Sequence, residues 1–121
     1  MYSNHAARAY QQTRRAVVTG RELESLLLLK AAAQLQGVKD NWEARKGELF
    51  SALTYNRKLW TILIDLILRE DNPLPTEDKQ NLTNIAVFIF KHTIETQIAN
   101  DPEMIGPLVS INRTIAEGLR S

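Results

Sequence analysis

Cysteine is absent from the 121-residue chain, which excludes disulfides and thiolate metal sites. Histidine is nearly absent as well: His5 and His92 are the only two, and no HExxH spacing or neighbouring pair exists to share a metal. The five glycines are isolated from one another, so no phosphate-cradling loop is present. No segment alternates strictly between apolar and polar residues, which argues against strands. The longest apolar run, Leu59 to Leu68, is about ten residues and carries Asp65, where a membrane span needs about twenty. The first residues, "MYSNHAARAYQQTRRAVV", lack the apolar centre of a signal peptide. Charge of one sign is missing too: 15 basic and 14 acidic residues leave a net +1, too little to attract nucleic acid or an anionic membrane. These absences predict a soluble cytoplasmic protein with no catalytic, cofactor or metal site, and no direct contact with membrane or nucleic acid.

What remains is an ordinary globular balance, 44% hydrophobic and 24% charged, in a chain of the length of one domain, residues 1–121. Helical periodicity predicts an all-α bundle of four to five helices joined by short turns, near 4–17, 21–38, 41–69, 77–98 and 107–119. The first is Ala-rich and weakly amphipathic, with Tyr2, Ala6, Ala9, Tyr10, Thr13 and Val17 on one side. Residues 1–18 are therefore expected to be a mobile or peripheral helix. Thr19 and Glu22 have the spacing of a capping box for the second helix, whose inward stripe reads Leu23, Leu26, Leu27, Ala31, Leu35 and Val38. The third has no proline, and its weakest point is Tyr55–Asn56. "REDNPLPTED" ends it, because each proline disfavours helix at the residue before it. Thr76 is expected to cap the fourth helix, with Glu77 and Asp78 beside its N-terminal dipole. Asp101–Pro102 starts the last segment, whose stripe reads Leu108, Ile111, Ile115 and Leu119.

Two amides sit in the wrong register. Asn56 falls within the apolar stripe of Leu49, Leu53, Trp60, Leu63 and Ile67, and Asn112 falls within the stripe of the last helix. Buried amides are tolerable when they satisfy each other or nearby backbone. Asn56 is therefore expected to be buried and bonded to Asn112, or to backbone at a break in its helix, where it fixes register. In the turn, Asn72 is placed to bond backbone and Leu74, held between two prolines, to cover the end of the bundle. Four apolar side chains project away from the main stripes: Leu29, Ile62, Leu66 and Phe88. They are the candidates for contact with a partner, although each could equally pack within the bundle.

At "YNRKLW" (Tyr55 to Trp60), "REDNPLP" (Arg69 to Pro75) and "SINRTIAEGLR" (Ser110 to Arg120) the chain resembles the FlaF family of flagellar biosynthesis regulators, and the likeness extends upstream through "RELESLLLLKAAAQLQ" and "AARAY". Asn56, Trp60, Asn72, Leu74 and Asn112 belong to these motifs and are carried across as fold or binding elements. The resemblance implies a small helical protein required for flagellin production and secretion. Flagellin is then the expected partner, bound through an amphipathic segment in an apolar groove. An FlbT-like regulator acting on flagellin messenger RNA is a second implied partner. The resemblance brings no catalytic residue with it.

Overall fold

In a computed structural model of the chain, the backbone is described for residues 2–120 and the side chains for residues 21–120. The architecture is an all-α bundle of four long helices, with no strand among the described residues. The elements are α1 (Tyr2–Asp40), α2 (Trp42–Arg45), a 3₁₀ turn at Lys46–Glu48, α3 (Leu49–Ile67), α4 (Thr76–Ala99), a 3₁₀ turn at Pro102–Ile105 and α5 (Gly106–Arg120).

Two expectations about the helices are corrected. The segments read as 4–17 and 21–38 are one helix, α1, which passes through residues 17–21 without interruption. No proline stands there, and a lone Gly20 costs a helix only about 1 kcal/mol. The apolar face assigned to residues 4–17, and the peripheral packing expected of residues 1–18, concern side chains outside the described residues. The stretch read as a single helix over 41–69 is instead broken near its start, by Asn41 and by the 3₁₀ turn that contains Gly47. Tyr55 and Asn56 lie within unbroken α3. Gly37 permits the Arg45 guanidinium to lie directly against α1, and from there Arg45 grips Glu48 through two hydrogen bonds of 3.0 and 3.1 Å.

The core is built by α1, α3 and α5, with α4 laid against α3. On α1 the buried row is Ser25, Leu28, Ala31, Ala32, Leu35 and Val38, while Leu23 and Leu26 are exposed. The inward stripe at the start of that helix was thus misplaced: in "LESLLLL" leucines surround the helix, and periodicity cannot choose among them. Small Ala31, Ala32 and Ala116 allow close approach, and Ser25 Oγ donates to the Ala116 carbonyl across the α1–α5 contact (2.8 Å). On α5, Leu108, Val109, Asn112 and Ala116 are deepest, and Ile111, Ile115 and Leu119 pack partly buried beside them. α4 buries only Ala86, Ile89, Thr93 and Thr96. Thr93 and Thr96 satisfy their hydroxyls on the carbonyls of Ile89 and His92, at 2.6 and 2.7 Å. Thr76 makes no side-chain cap; Pro75 occupies the cap position of α4. Asp101 does cap its turn, accepting from the Glu103 backbone N–H at 3.0 Å.

Candidate functional site

The polar centre of the bundle comes first, because it fixes how the helices meet. Asn56 and Asn112 are both 0% exposed. Asn112 Nδ2 donates to Asn56 Oδ1 at 2.7 Å and to the Leu28 carbonyl at 3.3 Å, and Asn112 Oδ1 accepts from the Trp60 indole at 2.9 Å. One side chain on α5 therefore ties α1 and α3 together. Asn56 Nδ2 is the one buried side-chain polar atom without a hydrogen-bond partner among the described residues.

The turn after α3 is held just as locally. Asn72 Nδ2 donates to the Leu66 carbonyl at 3.1 Å, and Asn72 Oδ1 accepts from the Leu74 N–H at 3.0 Å. Lys79 Nζ reaches back from α4 to the Arg69 carbonyl at 2.9 Å. These bonds fold Pro73 and Leu74 over the end of the bundle and leave Leu74 half-buried.

Beneath that turn lies a cavity of about 300 Å³. α3 supplies Trp60, Leu63, Leu66 and Ile67 to its wall, and α5 supplies Ile115 and Leu119. Pro73, Leu74 and Leu82 close one side, and Arg21 and Glu24 of α1 stand on another. Burial raises the Glu24 carboxyl above its ordinary range, against the opposing pull of Arg21. The lining is otherwise almost wholly apolar, and a cavity of this size takes up large aliphatic or aromatic side chains.

An exposed apolar surface adjoins the cavity. Lys30 lies over the Tyr55 ring, 5.7 Å from its centroid, where α1 and α3 pack side by side. Seven residues back along α1 on the same helical row stands Leu23, and seven forward along α3 stands Ile62, both exposed. Leu26 and Leu66 extend the rows. Leu26 is 63% and Ile62 60% exposed, and Leu66 belongs both to this seam and to the cavity wall. Of the four side chains singled out for a partner, the fold therefore brings Ile62 and Leu66 together. Phe88 stands apart on α4, stacked on His92 with ring centroids 5.2 Å apart. Leu29 is partly buried against the core. His92 itself is half-buried and donates from Nε2 to the Met104 carbonyl at 2.6 Å.

Sequence reasoning missed Leu23 and Leu26 as surface residues, and missed the cavity altogether. The cavity draws on five separate parts of the chain, and no local pattern announces that. The uninterrupted leucines of α1, more numerous than one stripe requires, were the available signal for the exposed pair.

The arrangement is an all-α bundle locked by an internal amide network, with exposed apolar residues and an apolar cavity at one end. The FlaF family, described as flagellar protein FlaF, matches residues 6–119, and the chain belongs to that family. Neither a curated protein nor a solved structure matches it. Among the described residues, no helix is long and apolar enough to cross a membrane.

Proposed function

We propose that this chain is a cytoplasmic flagellin chaperone without catalytic activity, a positive factor for flagellin production and secretion. In this reading an amphipathic flagellin segment lies along the α1–α3 seam and sets one large apolar side chain into the cavity. The observation that carries it is the apolar surface running along α3 from exposed Ile62 to Leu66, one turn on, which also lines the cavity, while Leu23 and Leu26 stand exposed on α1. Soluble proteins seldom leave such a surface without a partner, and helix-in-groove recognition uses apolar anchors at i, i+3, i+4 and i+7. Membership of a flagellar family supplies the biological setting.

The test is co-expression with flagellin, followed by size-exclusion chromatography and hydrogen-exchange mapping. A stoichiometric complex that protects 21–30 and 60–67 supports the reading. Because the contact is mainly apolar, its affinity should vary only modestly with salt. A second reading, regulation of flagellin messenger RNA with an FlbT-like partner, replaces the first if the chain fails to bind flagellin and instead binds the leader RNA with steep salt dependence. The net charge of +1 weighs against direct RNA contact.

A further inference from the structure

α4 carries an apolar seam that neither the core nor the cavity uses. Its buried residues, Ala86, Ile89, Thr93 and Thr96, lie on one side. Val87, Ile94 and Ile98 lie on the opposite side, all exposed, Ile98 by 80%. With Lys91 they are spaced four, three and four residues apart, the a/d spacing by which two helices interdigitate. The seam has definite ends. Before it, Gln80 Nε2 donates to Asn84 Oδ1 at 3.0 Å, so the same face is filled by a paired amide couple. After it, Asn100 adopts a left-handed conformation (φ 52°) and turns the chain away.

We propose that this face is a homodimer interface, on which a second copy of the chain docks its own α4 in antiparallel orientation. The pattern is self-complementary about a two-fold axis. Val87 meets Ile98 of the second copy, and Lys91 meets Ile94 of the second copy; symmetry repeats both contacts. The Lys91 ammonium then stands level with the Glu95 carboxylate of the second copy, on the same edge of the pair. The ion pairs within the chain, among the described residues, are Arg45–Glu48 and Lys46–Glu43, so Lys91 and Glu95 are available to pair across the axis. Parallel pairing would instead set Lys91 against Lys91 and is disfavoured. Exposed Phe88 flanks the seam and adds to the buried area. One helix pair of this length buries on the order of 1,000 Å² in total, the low end of specific interfaces. The dimer is accordingly a weak one.

Sedimentation equilibrium of the purified chain over a concentration series tests this. The expected result is a reversible monomer–dimer equilibrium. Ile94→Glu should raise its dissociation constant at least about tenfold, with an unchanged helical circular dichroism spectrum because Ile94 faces solvent. Lys91→Glu and Glu95→Lys should each weaken the dimer, since each sets like charges against one another twice. The double variant should restore it. That rescue separates a two-fold antiparallel pair from any other use of the face. A chain that stays monomeric to several hundred micromolar overturns the proposal, and so does a dimer indifferent to Ile94→Glu. Single reversals that are not rescued in the double variant overturn it too. If the wild-type chain is monomeric and Ile94→Glu abolishes capture of purified flagellin, the seam belongs to that partner, and the homodimer is rejected.

Discussion

Asn112 on α5 donates a hydrogen bond from its Nδ2 to Asn56 Oδ1 on α3, across 2.7 Å and 56 residues of chain, where neither side chain is exposed. The bond fixes the sliding and rotational register of two helices whose apolar faces alone would tolerate several alignments. Asn56→Ala should cost about 1–3 kcal/mol, because it strands part of a buried amide. Asn56→Leu should keep the helical fold but loosen its uniqueness, visible as broadened amide resonances or lowered unfolding cooperativity. Undiminished stability of Asn56→Ala in urea titrations would rule out a structural role for the bond.

Asn112 should matter more than Asn56. It satisfies three partners, Asn56, the Trp60 indole and the Leu28 carbonyl, whereas Asn56 engages one and leaves its own Nδ2 unpaired. Asn112→Ala is therefore expected to destabilise more than Asn56→Ala. The two should couple by about 0.5–3 kcal/mol in a double-mutant cycle. Trp60→Phe removes the indole donor and also leaves a void where a fully buried double ring packed, so it should destabilise through both the lost bond and the cavity. Additive single effects at 56 and 112 would contradict the network.

The amide pair was legible in the sequence because a polar residue in a core register is conspicuous, and two of them invite pairing. The turn was legible because Asn-Pro and Leu-Pro leave the backbone few options. The start of the buried row on α1 was not legible. Ser25 is buried where leucines on either side are exposed, and only the carbonyl of Ala116, 91 residues away, accounts for it. The 41–69 stretch reads as one helix whose weakest point, the place for any break, is Tyr55–Asn56. The break lies instead at Gly47 and its neighbours, while tertiary partners on α5 keep Asn56 inside a regular helix. The cavity follows from how helix ends meet, which periodicity does not encode.

Leu74 lines the cavity from the turn and is half-buried. Leu74→Ser removes apolar contact at the bundle end but leaves the Asn72 bonds in place. A loss of about 1 kcal/mol is expected, lowering the melting temperature by a few degrees in a chain of this size. An unchanged melting temperature would remove Leu74 from the packing of the bundle.

The four outlying apolar residues should now separate by experiment. Ile62→Asp, at an exposed position, should weaken flagellin binding by about tenfold or more while the melting temperature barely moves. Leu66→Asp should weaken binding and also lower the melting temperature, because Leu66 is only 36% exposed and lines the cavity. Leu26→Asp should behave like Ile62→Asp. Phe88→Ser should leave flagellin affinity unchanged, since Phe88 lies on α4 beside His92. Leu29→Ser should act through stability, because Leu29 packs on the core. Titration of labelled flagellin against each purified variant, with thermal melts in parallel, distinguishes these outcomes. Equal losses of affinity at Phe88 and Ile62 would place the partner elsewhere.

Glu24 gives the cavity mouth a pH dependence whose sign is fixed. Its folded carboxyl titrates above the ordinary value of 4.5, chiefly because burial disfavours the charged form. The folded state thus holds a proton more tightly than the unfolded chain, and ionised Glu24 is a burden on the fold at neutral pH. That burden lifts as pH falls through the raised folded value and is gone below about 4.5. Glu24→Gln should therefore be more stable than wild type at pH 7, with the gap closing as pH is lowered into that range. A partner that covers the cavity would strip further water from Glu24, so flagellin should bind wild type more tightly as pH falls from neutral. The Gln variant should lose that dependence. Thermal melts and binding titrations of both proteins between pH 7 and pH 4 read the two effects separately. A wild-type advantage in stability at pH 7 would show that attraction to Arg21, and not burial, governs this carboxylate.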